Sequence, residues 1–487
     1  MKYDVVIIGC GLAGLQCGYI LSKKGYNVCL LEQHNQIGGC LQTFRRKDAL
    51  FDTGFHFVGG LDEGQPLNRI FRYFDLLDLP WQRMDEKGFA EILLGENSHL
   101  LPSGYERFTD ALATTFPHQR EQLNNYVRML QKVEENLFHS LAGDDSNMEY
   151  FNKSAWEFLE ETIDDPLLRN ILSGASLTME LDKKYLPLYV FAQINNSFIR
   201  SSWRLKGGGS QIAGRLAENI RSNGGTVLTN TKVDRLIEEN GKIARLEYNG
   251  TEPMEADWFI STLHPSNTLD LIPETRLIRN IYRKRIASLS NTFGMFTVHL
   301  RLRKGILPYQ NRNLFIYPDH KVWNYSTDDN KPPVLVSYYP PKEGEFAEQI
   351  DLLTPVRWEE VAHWEKTKMG KRGEAYTIFK NRKAEQCIEI ATNHLAGLKE
   401  SIEDIYTSSP LTYQHYTGVP QGSAYGIQKD YANVMGTLIP VQTQVPNLLL
   451  SGQNLNLHGI LGVSMTSFFT CAKITGMPEL VNDLIMN

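Results

Sequence analysis

The segment Gly9-Cys10-Gly11-Leu12-Ala13-Gly14 follows directly on Val5-Val6-Ile7-Ile8, and this junction constrains the fold more than any other stretch. A continuous apolar run of this kind reads as a parallel strand buried on both faces, Tyr3 to Ile8. A helix is expected next, Leu12 to Lys24, with Leu12, Leu15, Tyr19 and Ile20 on one apolar face. Lys23 and Lys24 suit its C-terminal dipole, and Gly25 suits a left-handed cap. A second strand, Asn27 to Leu31, ends in Glu32. Strand, glycine turn, helix, strand and acid form the context that G-x-G-x-x-G requires. Gly9 permits the tight turn, Gly11 lets backbone approach a pyrophosphate, and Gly14 lets helix and strand pack closely. The helix N-terminus offers N–H donors and partial positive charge to phosphates. Glu32 stands where a carboxylate accepts from ribose hydroxyls, which argues against a 2′-phosphate.

Val5 to Cys10 superficially resembles a lipoprotein signal. The apolar core is too short for one, and Asp4 interrupts the charged region before it, so the buried strand is the better reading. The six cysteines, Cys10, Cys17, Cys29, Cys40, Cys387 and Cys471, form no C-x-x-C pair. In a chain of 487 residues they are neither a disulfide framework nor a zinc site, and no metal site is expected. A reducing, cytoplasmic compartment fits them. The net charge of −6 gives no reason to expect nucleic acid as a partner. No apolar run reaches the roughly 18 residues of a membrane span, so membrane contact would be peripheral, at the inner face of a membrane.

Further along, the pattern is helical from about Pro102 to Gly174, including Leu123 to Phe138 and Ala155 to Leu172 with a break at Asp164-Asp165-Pro166. After Lys206-Gly207-Gly208-Gly209-Ser210 a helix is expected over Gln211–Asn223, then a strand over Thr226–Thr229 and a hairpin over Val233–Tyr248 turning at Asn240-Gly241. Trp258–Thr262, Asn291–Leu302, Asn313–Tyr317 and Val334–Tyr339 read as strands, and Arg357–Leu398 as helical. The last 50 residues repeat the opening theme, with strand Leu448–Ser451, a glycine-bearing loop and a helix from about Gly462 to Thr475. The three glycines at 207–209 lack the Gly-Lys-Ser/Thr ending of a P-loop.

This is α/β plus α+β material. A Rossmann-like domain is assembled from discontinuous segments, 1–70, 205–270 and 430–487. A substrate domain of mixed sheet and helices takes 71–204 and 271–429. Glycine pairs at Ile37-Gly38-Gly39-Cys40 and the segment Phe51-Asp52-Thr53-Gly54-Phe55-His56 suggest backbone wrapped around an extended cofactor. Ser451-Gly452-Gln453-Asn454 and Gly459-Ile460-Leu461-Gly462-Val463 form a second glycine site, where a helix starting near Gly462 would aim its positive end at a flavin ring.

On these segments the chain resembles the phytoene desaturase, carotenoid isomerase and retinol saturase group of FAD proteins, within the amine oxidase-like superfamily. Further matching segments are Lys206-Gly207-Gly208, Ser408 to Pro410, Tyr416-Thr417-Gly418, Gly422-Ser423-Ala424-Tyr425-Gly426, and Ala155 to Leu159 with Asp165-Pro166-Leu167. The resemblance implies FAD held by Gly9, Gly11, Leu12, Ala13, Gly14, Glu32, Gln33, Gly39, Cys40, Gly54, Phe55, His56, Val233, Gly452, Gln453, Gly462 and Val463. Val233 would present its backbone to the adenine. The chain departs from the group at Cys40, where relatives often carry a basic residue, at Ser261-Thr262-Leu263-His264-Pro265, and at His458.

A flavin carries the hard chemistry, so no catalytic triad is required, and none is found. His56 and His458 are the candidate catalytic residues, as hydrogen-bond partners of the flavin or proton carriers to a substrate carbon. Each also reads as a packed or capping histidine. Cys40 reads as a small packed residue rather than a redox thiol. Phe293, Met295, Phe296, Phe315, Tyr317, Tyr338 and Tyr339 suit an ordinary sheet core or an apolar substrate wall, and Tyr416 and Tyr425 suit a cover over the ring. The helix Leu123–Phe138 covers a domain or lies on a membrane. Three functions follow in order. The first is an FAD-dependent oxidoreductase that saturates, desaturates or isomerises carbon–carbon double bonds of a long apolar carotenoid, retinoid or similar lipid, with NAD(P)H as a transient donor. The second is a flavin amine oxidase-like enzyme on a polar substrate. The third is a non-catalytic lipid carrier resembling Rab GDP-dissociation inhibitors, against which the intact glycine sites and Glu32 argue.

Overall fold

A computed structural model describes residues 2–135, 137, 147–250, 252–273, 275–318, 320–323, 331–478, 480 and 484. The opening strand, Lys2–Ile8, runs parallel between Val28–Leu31 and Glu252–Ser261. Thr226–Leu228 extends the parallel sheet on one side and Leu448–Leu450 joins Glu252–Ser261 on the other. The N-terminal half of Glu252–Ser261 instead pairs antiparallel with a hairpin, Val233–Glu239 and Lys242–Tyr248. Asn240 and Gly241 turn that hairpin with φ +52° and +83°, the left-handed pair that a tight two-residue turn needs. Three distant segments thus build one sheet. Helices Leu12–Lys23, Ser210–Ser222 and Gly459–Thr475 pack on it through Leu15, Ile20, Leu216, Ile220, Phe468 and Cys471, all fully buried.

The second sheet has seven strands, in the order Ile402–Ser408, Gly294–Leu302, Gln349–Val356, Val334–Tyr338, Asn313–Tyr317, Ala90–Leu94 and Asn97–Leu101. All neighbours are antiparallel except Asn313–Tyr317 with Ala90–Leu94. Its two faces follow the period-two alternation of side chains. Phe315, Tyr317, Leu335 and Leu353 meet the helical block, whose members include Arg120–Glu135 and Leu188–Arg200. Leu314, Ile316, Val336 and Leu352 meet the helix Glu374–Thr392. The core under the nucleotide sheet continues past residue 270, where Ile272, Ile278 and Ile286 pack with Ile8, Leu31 and Phe259.

The helix expected over Leu123–Phe138 spans Arg120–Glu135, and Phe138 lies outside the described residues. Leu123, Tyr126, Val127, Leu130 and Val133 are buried, so it covers the domain and turns no apolar stripe outward. The helical stretch expected over Arg357–Leu398 narrows to Glu374–Thr392 plus short turns, because Gly370 and Gly373 sit at positive φ. The last helix starts at Gly459 rather than Gly462, with His458 as its N-cap residue. Two elements carry no sequence signal. Gln349–Val356 is a central strand that contains Pro355 opposite Met295 and a buried Asp351, both atypical there. Leu188–Arg200 buries Gln193, Asn195 and Asn196, which breaks its apolar periodicity. Among the described residues no helix is long and apolar enough to cross a membrane.

Candidate active site

A cleft of about 590 Å³ opens at the C-terminal ends of the parallel strands and runs on toward the second sheet. That is within the size range of ligand sites, and the strand ends are where open α/β sheets bind ligands. Gly9, Gly11, Leu12, Ala13, Glu32, Gln33, Gly39, Cys40, Gly54, Phe55, His56, Val233, Gly452, Gln453 and Val463 all line it.

At the nucleotide end the chemistry is carried by backbone. Gly9 has φ +97°, and a Cβ there would stand 2.5 Å from Thr262 Oγ1. Its N–H donates to the Leu31 carbonyl at 2.8 Å, which locks the turn onto the neighbouring strand. Gly11 begins the helix with no side-chain cap, and a Cβ added there would meet nothing within 4 Å. The first-turn N–H groups therefore face open space, the arrangement that accepts a diphosphate. Glu32 is buried. Its Oε2 accepts from the Cys10 N–H at 3.1 Å and its Oε1 from the His34 N–H at 3.0 Å. A carboxylate has about four acceptor positions, so two are left for hydroxyls. Donors for a diphosphate and an acceptor for a ribose are both present, and the fit to FAD is good.

Two of the expected cofactor residues do not reach the cleft. A Cβ on Gly14 would stand 2.0 Å from the Gly9 carbonyl oxygen, and one on Gly462 would stand 2.3 Å from the Leu457 carbonyl oxygen. Both glycines serve close packing inside their helices' contacts. The signal that identified Gly14, its place in the motif, specified helix–strand approach and not ligand contact. Cys40 is also corrected. It lines the cleft with its side chain exposed instead of packed, and burial of the surroundings pushes its thiol upward, so it stays protonated.

At the other end the wall is apolar. Leu177, Ile194, Phe198, Met295, Leu335 and Leu353 line it. Of the sheet aromatics read from the sequence, none lines the cleft, and Met295 alone of that group does. Phe293, Phe315 and Tyr317 belong to the core against the helical block, and Phe296 and Tyr338 to the core on the opposite face. Tyr416 and Tyr425 do line the cleft. Histidines also stand at this end. His56 and His458 are each pushed down to about 4 by burial, and so is His264, which also lines the cleft. All three are neutral near pH 7.

His56 presents Nδ1 to Asp351 Oδ2 at 3.8 Å. Asp351 is fully buried, bonded to His299 Nδ1 at 2.8 Å, and accepts from the Tyr339 hydroxyl at 2.7 Å. The Asp52 N–H donates to that hydroxyl at 2.9 Å, and the Asp52 carboxylate accepts from the Gly209 N–H at 2.7 Å. Burial, with Asp351 nearby, pushes Asp52 up to about 8. This polar cluster joins strand Ala49–Asp52, the glycine turn at 207–209 and the second sheet. Nothing in the sequence flagged Asp351, His299 or Tyr339 as its members. His458 lies 3.0 Å from the Thr178 carbonyl through Nε2. A carbonyl only accepts, so Nε2 carries the ring's proton. The ring lies 4.6 Å from that of Tyr425, whose hydroxyl donates to the Leu177 carbonyl at 2.7 Å.

The signature of the family described as flavin containing amine oxidoreductase matches residues 12–353. The chain is 26% identical to all-trans-retinol 13,14-reductase of Danio rerio, over 97% of this chain and 85% of that protein. It is 22% identical to chloroplastic prolycopene isomerase 1 of an Oncidium hybrid cultivar, over 95% of this chain and 79% of that one. The crystal structure of an oxidoreductase from Methanosarcina mazei shares the fold, with a TM-score of 0.65, 16% identity, and coverage of 96% of this chain and 99% of that one. The family signature spans well over half of the 487 residues and begins inside the glycine motif, where the cleft fits FAD, so the chain belongs to the flavin containing amine oxidoreductase family.

Proposed function

We propose that this chain is an FAD-dependent oxidoreductase that saturates one carbon–carbon double bond of a long apolar polyene. The carrying observation is the reacting end of the cleft, where apolar side chains meet histidines held neutral by burial and, among the described residues, no carboxylate or ammonium group lines the wall. Such a wall favours an uncharged, extended substrate and disfavours an alkylammonium ion, which would be desolvated there without a counter-charge. The retinol 13,14-reductase of Danio rerio, similar over nearly the whole chain, supports saturation over desaturation or isomerisation.

Bound FAD supplies two-electron chemistry at the substrate carbons. The Gly9–Ala13 turn, Glu32 and Gly452 hold it. Saturation adds two hydrogens across one double bond, with the electrons taken from a nicotinamide reductant such as NAD(P)H that visits transiently. The protein's part is to exclude water, align the chain and move a proton. His56 is placed to do the last. Asp351 behind its Nδ1 offsets the cost of a transient positive ring, and its neutral resting state lets it pass a proton onward. His458 holds the wall shut by binding Thr178, and its Nδ1 remains an acceptor toward the substrate side.

The test is anaerobic incubation of the FAD-loaded protein with retinoids and carotenoids, with and without NAD(P)H, followed by product mass. A gain of two hydrogens is expected. A loss of two hydrogens or an unchanged mass with altered geometry overturns saturation. Hydrogen peroxide released from amines, with polyenes untouched, overturns the substrate class in favour of a polar-substrate oxidase.

A further inference from the structure

The wall that carries Tyr425, Gln453 and His458 has a second side. The same three side chains line a small crevice beyond the cleft, together with Met179, Tyr185 and Lys429. Lys429 ties the neighbouring surface to this crevice. Its ammonium donates to the carbonyls of Thr437 at 2.9 Å, Asn454 at 2.7 Å and Leu455 at 3.0 Å. The turn Val434–Thr437 is thereby held beside the crevice, and it carries Met435, which is 80% exposed.

A second exposed apolar side chain lies on the helix that is bonded to this turn. Ile281 is 76% exposed, and these two are the most exposed large apolar side chains among the described residues. Ile281 lies one turn before Arg285 on helix Asn280–Ala287, so the two share a face. The Arg285 guanidinium donates to the carbonyls of Gly436 at 3.2 Å and Met435 at 3.5 Å, which joins the helix to the turn. Residues 276–285 contain five cations and no acid, in a chain whose net charge is −6. Arg283 is used internally, donating to the carbonyls of Leu269, Ile272 and Pro273. Arg276, Arg279 and Lys284 are exposed and form no ion pair among the described residues. Scattered exposed apolar residues are ordinary. Two on elements that Arg285 joins, in a segment with three exposed cations on a protein of net charge −6, are complementary to one kind of surface. Apolar groups enter the acyl boundary of a bilayer while cations meet anionic headgroups.

We propose that the face formed by Ile281, Met435, Arg276, Arg279 and Lys284 docks on an anionic lipid surface, and that the crevice beside it is the route by which an apolar substrate passes from the lipid to the cleft. The second half rests on the lipid-substrate reading above; the docking does not. Tyr425 and His458 close that route, each by one hydrogen bond to the adjacent carbonyls of residues 177 and 178.

The experiment uses FAD-loaded full-length protein, sedimented with vesicles of phosphatidylcholine alone or with 30% phosphatidylglycerol. Wild type is expected to bind the anionic vesicles and to be released by raising the salt. The double variant Ile281→Glu/Met435→Glu is expected to bind at least about tenfold more weakly at equal FAD content and unchanged circular dichroism. Arg276→Gln/Arg279→Gln/Lys284→Gln is expected to lose the preference for anionic over neutral vesicles. Ile378→Glu, at an exposed position of helix Glu374–Thr392, is the control and is expected to bind as wild type does. No binding by wild type, equal binding by the double variant, or a wild-type dimer that the double variant converts to monomer overturns the docking face. The route is tested with polyene delivered in vesicles or in detergent. The double variant is expected to lose conversion from vesicles and keep conversion from detergent, and equal conversion from both overturns the route. Vesicle binding as expected with no polyene converted in either form overturns the substrate reading and leaves the docking intact.

Discussion

The two ends of the cleft are built from different materials. At the nucleotide end the binding groups belong to the backbone: the uncapped N–H groups after Gly11, the bend at Gly9 and the strand end that delivers Glu32. At the reacting end they are side chains from elements far apart in the chain, Phe198 from one helix, Met295 and Leu353 from neighbouring strands, and His56 from a loop. A backbone site needs a short, ordered motif, and a side-chain site needs only that distant elements pack correctly. The first tolerates no added side chain at Gly9 or Gly14, while the second is tunable. Asp52 links them, since its carboxylate accepts from Gly209 while its own N–H binds the Tyr339–Asp351 pair beside His56.

The difference can be broken most severely at Gly14. A side chain there meets a backbone carbonyl that cannot swing away, so Gly14→Val should yield protein without FAD and destabilised by about 3 kcal/mol or more. Flavin absorbance of the purified protein and a urea midpoint measure both, and a yellow, stable variant would show that the helix–strand approach is not needed. The reacting end should respond in rate instead. His56→Gln should keep FAD and fold but lower turnover on the order of 100-fold, in the range for a proton-transferring group. Unchanged kcat would leave His56 as a packing residue.

A milder change at the nucleotide end is Glu32→Ala. It removes the acceptor of the Cys10 and His34 N–H groups and the one proposed for ribose hydroxyls. FAD affinity should fall about tenfold or somewhat more, as for hydrogen bonds to a charged group, read by titrating apoprotein with FAD. An unaltered Kd removes Glu32 from the site.

The last effect concerns the link, and it shows only as a dependence on pH. With Asp52 pushed up to about 8, the folded protein keeps a proton that the unfolded chain, with a carboxyl near about 3.9, has released. Between roughly pH 4 and pH 8 the folded state binds more protons, so stability falls as the pH rises through that window. Asp52→Asn should remove this part of the slope, at most about 1.4 kcal/mol per pH unit, while its side-chain oxygen still accepts from Gly209. Denaturation midpoints across the window should decline less steeply for the variant than for wild type. Parallel declines would mean that Asp52 is ionised in the folded protein.

The same contrast explains how much could be read from the chain. The parallel strands, the hairpin turning at Asn240-Gly241 and the helix after Gly11 follow from apolar runs and turn residues, and fifteen of the seventeen expected cofactor residues line the cleft. Gly14 and Gly462 went astray because a glycine in a motif marks close approach without saying of what. The helix Leu188–Arg200, which supplies Gln193, Ile194, Ser197 and Phe198 to the wall, was hidden by its buried amides. Strand Gln349–Val356 was hidden by Asp351 and Pro355, and it is Asp351 that stands behind His56.

By itself the sequence determined the nucleotide fold, because that depends on local backbone geometry that a few glycines enforce; its resemblance to a known group pointed to FAD. Only the tertiary structure decided which aromatic residues form core and which line the cleft. It also decided that burial holds His56, His264 and His458 below the usual imidazole range, and that Arg285 ties the helix of Ile281 to the turn of Met435. Burial and the meeting of distant side chains are properties of packing, and no spacing along the chain encodes them.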